Sequence, residues 1–119
     1  MSVFSTAAKN TMLDALAPDQ IQLHNGDPGA AGTANRVGGA NGEAASTYDA
    51  ATNGSRAVAA DVDFTGLAAD QPVTWVSHWD TSGPTFLGKA EITTGDVVAN
   101  AAGEYTVTTA ATLNLNDPA

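Results

Sequence analysis

The chain contains no cysteine. Disulfides and thiolate metal sites are therefore excluded, and folding in a reducing compartment suits it. Positive charge is almost as scarce. Lys9, Arg36, Arg56 and Lys89 stand against 13 acidic residues, for a net charge of -9. Binding to a nucleic-acid backbone needs a basic stripe, and an anionic membrane surface repels such a chain, so neither partner is expected. No apolar run approaches the ~20 residues of a membrane span. No basic segment leads into a long apolar core near the start, so a secretory leader is not expected. Aromatic residues make up only 6% of the chain. The core must come mainly from Val, Leu, Ile and Ala. Such a core is thin, and part of the stability is expected from neighbouring subunits.

At 119 residues the chain suits one domain, 1–119, that buries roughly two-thirds of its unfolded surface. An N-terminal helical segment, 1–17, carries Phe4, Ala8, Met12 and Leu16 at four-residue spacing from 4 to 16, with Leu13 beside them. Ser2 or Ser5 can cap its start and Pro18 ends it. Lys9, Asn10 and Asp14 are expected on the other face. The helix either packs on its own domain, which is the usual fate of a terminal amphipathic helix, or forms an arm that docks into a neighbour.

No helical pattern follows. Ile21 and Leu23 alternate with Gln22 and His24, predicting a strand with one buried face. Asn25-Gly26 and Asp27-Pro28-Gly29 are turn signals, and they open a long glycine-rich loop, 25–43, with Val37 as almost its only apolar residue. A loop of this length is a candidate contact surface. Further strands are expected at 44–51 around Tyr48, at 56–64 with Val58, Ala60, Val62 and Phe64 on one face, at 73–79, at 85–92 and at 105–115. This spacing predicts a mainly β chain, an antiparallel sandwich of jelly-roll or immunoglobulin-like type with one N-terminal helix.

Several separated segments together resemble a family of small tailed-bacteriophage virion proteins, described as minor tail or tail-fibre-like. They are Phe4-Ser-Thr-Ala-Ala-Lys-Asn-Thr-Met-Leu-Asp-Ala-Leu16, Leu23-His-Asn-Gly-Asp-Pro-Gly29, Pro72-Val-Thr-Trp-Val-Ser-His-Trp-Asp80, Gly83-Pro-Thr-Phe-Leu-Gly88, Gly103-Glu-Tyr-Thr-Val107 and Leu113-Asn-Leu115. The resemblance implies a β-sandwich structural component of a virion, assembled in the cytoplasm of a host bacterium. Its partners would be other virion proteins and copies of itself. The open stretch from Ala30 to Gly42 departs from the family pattern.

Little in the chain points to catalysis. His24 and His78 are the only histidines, and no Gly-x-Ser-x-Gly elbow is present. No carboxylate pair is marked out for sugar cleavage, and no glycine-rich phosphate loop ends in a basic residue. An enzyme is not expected, and no cofactor is implied. Asp61 and Asp63 fall on one side of a strand, about 7 Å apart, but supply only part of the oxygen set that calcium takes. A solvated acidic face is the simpler reading, and no metal site is assigned. Trp75 and Trp79 share a strand face with Ser77 between them. They are either core residues or an exposed pair that stacks on a host-surface glycan, and with so few aromatics the burial of at least one is favoured. Thr74, Val76 and His78 form the opposite face. Candidate subunit contacts are Phe4, Met12, Leu16, Val37, Val76 and His78. A capsid decoration or head-fibre protein, and a carbohydrate- or receptor-binding module, are the rival readings.

Overall fold

A computed structural model describes residues 4–93, 95–109 and 112–114. The chain is mainly β, with antiparallel sheets and one α-helix among the described residues. Helix α1 spans Thr6–Ala15 and is capped by Ser5, whose Oγ accepts a hydrogen bond from the Ala8 amide at 3.1 Å. Ser2, the other candidate cap, lies outside the described residues. Ten residues form a marginal helix alone, and this one is held to its own domain. Leu13 is buried against Ala51 and Leu113, with Leu16 and Leu87 beside them.

Asn10 and Asp14 of α1 do not turn away from the domain, as the sequence suggests. Asn10 Oδ1 accepts from the Gly54 amide at 2.9 Å, and Asp14 Oδ1 accepts from the Ala51 amide at 2.8 Å. Arg56 Nη1 donates to the Leu13 and Leu16 carbonyls at the end of the helix, and its Nε donates to the Asp49 carbonyl. The helix therefore docks through a mixed stripe, because a two-residue turn at Asn53-Gly54 presents unpaired amides where an apolar face would leave them unsatisfied.

Among the described residues eight strands follow: β1 (Gln20–His24), β2 (Glu43–Ala45), β3 (Ser55–Ala57), β4 (Val62–Phe64), β5 (Trp75–Asp80), β6 (Thr85–Glu91), β7 (Tyr105–Val107) and β8 (Thr112–Asn114). Strands β2-β1-β5-β6 form one antiparallel sheet in that order, and β3-β8 and β4-β7 form two antiparallel ribbons. Two strands that read as continuous in the sequence are each split. Residues 56–64 supply β3 to one ribbon and β4 to the other, and residues 105–114 supply β7 and β8 in the same way. Period-two alternation survives each crossing, so the break leaves little mark in the pattern. Ala60, at the first break, is exposed. Leu115, the expected end of the last strand, lies outside the described residues.

The register sorts the sheet into two faces. Ile21 opposes His78, Leu23 opposes Val76, and Val76 opposes Ala90. These residues share the face that meets the ribbons, where Ile21, Leu23 and Val76 pack with Val58, Val62, Phe64, Val73, Tyr105 and Val107. Val37, Val76 and His78 were expected at subunit contacts and are instead core residues of this chain, each nearly inaccessible to solvent. Val37 reaches the core because the chain returns beside β1 after its excursion, with the Val37 amide donating to the Leu23 carbonyl. Of the other candidates, Phe4 is exposed and Met12 and Leu16 are half-buried. A register shift between His78 and Trp79 leaves Leu87 as the extra residue of a bulge in β6, which lets it join the cluster under α1.

Arg56 gathers three carbonyls from two segments, so its loss should loosen the helix without touching the main core. Replacing Arg56 with Met is expected to lower stability by about 1–3 kcal/mol. Urea unfolding with helix-sensitive circular dichroism checks this, and the main sheet should stay folded below the midpoint.

Candidate functional site: a roofed indole face and an open acidic groove

The second face of the sheet carries Gln20, Gln22 and His24 from β1, and Trp75, Ser77 and Trp79 from β5. Sequence alternation assigns such a face to solvent, yet Gln22, His24 and Ser77 are buried. The glycine-rich loop is what covers it. His24 and Arg36 form an isolated antiparallel bridge, and the Asn25 amide donates to the Asn35 carbonyl, so the excursion closes on itself like a hairpin. Its tip folds onto the sheet. Gly32 lies against the Phe86 ring, where an added Cβ would stand 2.3 Å from a ring carbon, and its φ of +75° also favours glycine. Lys89 Nζ meets Asp27 Oδ1 at 2.6 Å, and the Arg36 guanidinium lies 5.3 Å from the centre of a Trp79 ring. The Lys89 hydrogen bond and the Gly29 amide together hold the Asp27 carboxyl below its usual range.

Under this roof His24, Ser77 and Trp79 satisfy one another, while the buried Gln22 Oε1 has no partner among the described residues. His24 Nδ1 lies 2.8 Å from the Ala34 carbonyl oxygen, which can only accept, so Nδ1 carries the proton. Nε2 is then the acceptor, and the Ser77 hydroxyl donates to it at 2.7 Å. Ser77 Oγ in turn accepts from Trp79 Nε1 at 2.7 Å. A serine beside an imidazole is the first requirement of a nucleophile–base pair. Here both residues are fully buried, and the serine oxygen is already engaged by the indole. In this arrangement the trio joins loop to sheet and gives a substrate no approach. Burial pushes the His24 pKa down, opposed by the Ala34 bond and assisted by Arg36.

Trp79 is buried, which meets the expectation for at least one indole. Trp75 shares its face and is half-buried, with Lys89 Nζ 5.8 Å from the ring centre. His78 is on the opposite face, where its Nδ1 pairs with the Tyr48 hydroxyl and its Nε2 has no partner among the described residues. Burial drives its pKa down to about 4. The same burial raises Tyr48 to about 12. Asp61 and Asp63 are spent on cross-strand ties, Asp61 accepting from the Thr109 amide and Asp63 from the Thr106 hydroxyl. Among the described residues no group of three or more potential ligands is placed to hold a metal ion.

One feature of the surface has no counterpart in the sequence reading. A groove of about 900 Å³ opens between the β4-β7 ribbon and the segment 95–100. Its origin is a hairpin whose arms part. The Asn100 amide donates to the Glu104 carbonyl at the tight end, where Gly103 sits against the Leu67 carbonyl with no room for a Cβ. Beyond that point one arm pairs with β4, while residues 97–99 pair with 71–73 through the Val73 amide to the Val97 carbonyl and the Ala99 amide to the Gln71 carbonyl. Asp63, Asp70, Asp96 and Glu104 line the groove, and no Lys, Arg or His does. The Tyr105 hydroxyl donates to the Asp96 carbonyl at 2.6 Å.

Comparison with family models, curated proteins and solved structures finds no match to this chain.

Two outcomes follow from the buried trio and from His78. Changing Ser77 to Ala strips His24 Nε2 and Trp79 Nε1 of their shared partner, and denaturant unfolding should show a loss of about 2–4 kcal/mol. The His78 imidazole has an ordinary pKa of 6.5 when the chain is unfolded and about 4 when folded. The unfolded state therefore binds more protons between those values. The stabilisation is complete above pH 6.5 and disappears as pH falls through 4, for a change on the order of 3 kcal/mol. His24 acts in the same direction. Unfolding midpoints measured across that range should fall with pH, and His78→Leu should flatten the slope.

Proposed function

We propose that this chain is a structural component of a tailed-phage virion, most simply a minor tail or tail-fibre-associated protein, whose work is to bind other virion subunits. We take its sheet and two ribbons as the layers of a β-sandwich. The observation that carries the reading is the way the resemblance segments meet in space. Leu23–Gly29 supplies His24 and Asp27, Pro72–Asp80 supplies Ser77 and Trp79, and Gly83–Gly88 supplies Phe86. These residues are distant in sequence, yet they build the single roofed face, through the His24–Ser77 bond and the Trp79–Phe86 ring contact at 5.4 Å between centres. The family-like residues thus supply much of the sheet side of this face, while Gly32, Ala34 and Arg36 on the loop side come from the stretch that departs from the family pattern.

The surface fits a binding role. The chain is strongly acidic, with Phe4, Val97 and Val98 as its large exposed apolar residues among those described. Acidity keeps subunits soluble before assembly, and scattered apolar contacts suit recruitment by shape. The glycan-binding rival draws less support, since Trp79 is buried and its indole N–H is bound to Ser77.

Mass spectrometry and antibody labelling of particles purified from cells that make this chain test the proposal. Stoichiometric incorporation at one site on the particle is expected. A chain that stays in the soluble fraction and never co-purifies with particles contradicts it.

A further inference from the structure

The groove between the parted arms of the hairpin has the isolated antiparallel bridge of Val98 to Pro72 along one wall. Residues 97–99 spend one side of their backbone on residues 71–73, through the Val97 carbonyl and the Ala99 amide. In an antiparallel pair, alternate residues direct their N–H and C=O groups to opposite sides. Val98 therefore turns its N–H and C=O the other way, and neither has a backbone partner among the described residues. The Val98 side chain is 48% exposed and that of Val97 41%. Ala99 anchors the edge, being fully buried in the main core. An unpaired backbone edge beside a groove is the arrangement that accepts an added strand.

The charge of the groove selects the occupant. Asp63 and Glu104 are engaged in single hydrogen bonds, to Thr106 and Asn100 respectively. The carboxylates of Asp70 and Asp96 have no hydrogen-bond partner among the described residues. The chain's own cations lie elsewhere. Lys89 meets Asp27, Arg36 lies over Trp79, Arg56 holds the end of α1, and Lys9 is on α1. A second copy, at net charge -9, would bring like charge to the groove, and a nucleic acid would be repelled outright.

We propose that this groove receives an extended basic segment of a partner protein, which adds as a strand to the Val98 edge and lays Lys or Arg side chains against Asp70 and Asp96. This deepens the virion reading by naming the docking surface, and it rests on that reading only for the partner's origin.

The probe is a short blocked peptide of alternating lysine and threonine, titrated into the full chain, with a glutamate-for-lysine peptide as control. Amide shifts are followed by NMR and affinity by fluorescence anisotropy. The basic peptide should bind saturably, with shifts concentrated at 95–100 and 63–65, and should weaken as salt is raised. Asp70→Asn and Asp96→Asn should each weaken binding roughly two- to fivefold. Val98→Pro removes the free N–H without breaking a bond to 71–73, and should weaken binding by roughly tenfold. Equal binding of both peptides, shifts elsewhere on the molecule, or indifference to Val98→Pro in a variant that retains its native spectrum would each overturn the proposal. Failure here leaves particle incorporation untouched. Absence from particles with intact peptide binding would instead overturn the virion reading alone.

Discussion

The structure depends on covering both faces of β1 and β5. These two strands place Ile21, Leu23 and Val76 on one side, and His24, Ser77 and Trp79 on the other. The first side finds an apolar partner in the ribbons. The second would leave polar groups beside large indoles, and burial of such groups is costly unless they are paired. The glycine-rich loop supplies the missing acceptor, the Ala34 carbonyl, and so fixes the His24 tautomer and the Ser77 hydroxyl in turn. Loop and sheet are consequently one unit, and Val37 carries the returning chain into the core.

The same logic governs the edges. A small chain with few aromatics has little apolar area to spare, and it fastens peripheral pieces with hydrogen bonds to backbone. Asn10, Asp14 and Arg56 do this for α1. Asp61 does it for the second ribbon through the Thr109 amide, with Asp63 adding a bond from the Thr106 hydroxyl, and Asp19 does it for the turn after β5, where it accepts from the Thr81 amide and hydroxyl. Much of the acidic excess is therefore structural. Two carboxylates without such a bond among the described residues, Asp70 and Asp96, lie at the groove, where the two arms of one hairpin part to serve different layers.

The sequence makes the elements legible where a signal is local. The Ser5 cap, the alternation of Ile21 and Leu23, the turn at Asn53-Gly54 and the shared face of Trp75 and Trp79 all appear as read. What depends on distant partners is not legible. His24 and Gln22 look solvent-facing because nothing beside them in the chain reveals a loop that returns to cover them. Asn10 and Asp14 look unengaged because a polar residue that bonds a backbone amide is indistinguishable in sequence from one that bonds only water. The groove draws on residues from Asp63 to Thr108 and has no local pattern at all. Its one hint is the pair Val97 and Val98, apolar residues outside any alternating run.

If the loop truly is a built part of the sheet, its amides must be as hard to open as the strand beneath. Native-state hydrogen exchange read at Asn25, Ala34 and Val37, whose amides donate to the Asn35, Pro28 and Leu23 carbonyls, tests this directly. The expected result is exchange through the same cooperative opening that exposes Leu23 and Ser77. Exchange of those three amides at open-chain rates, while Leu23 and Ser77 stay protected, would contradict the account.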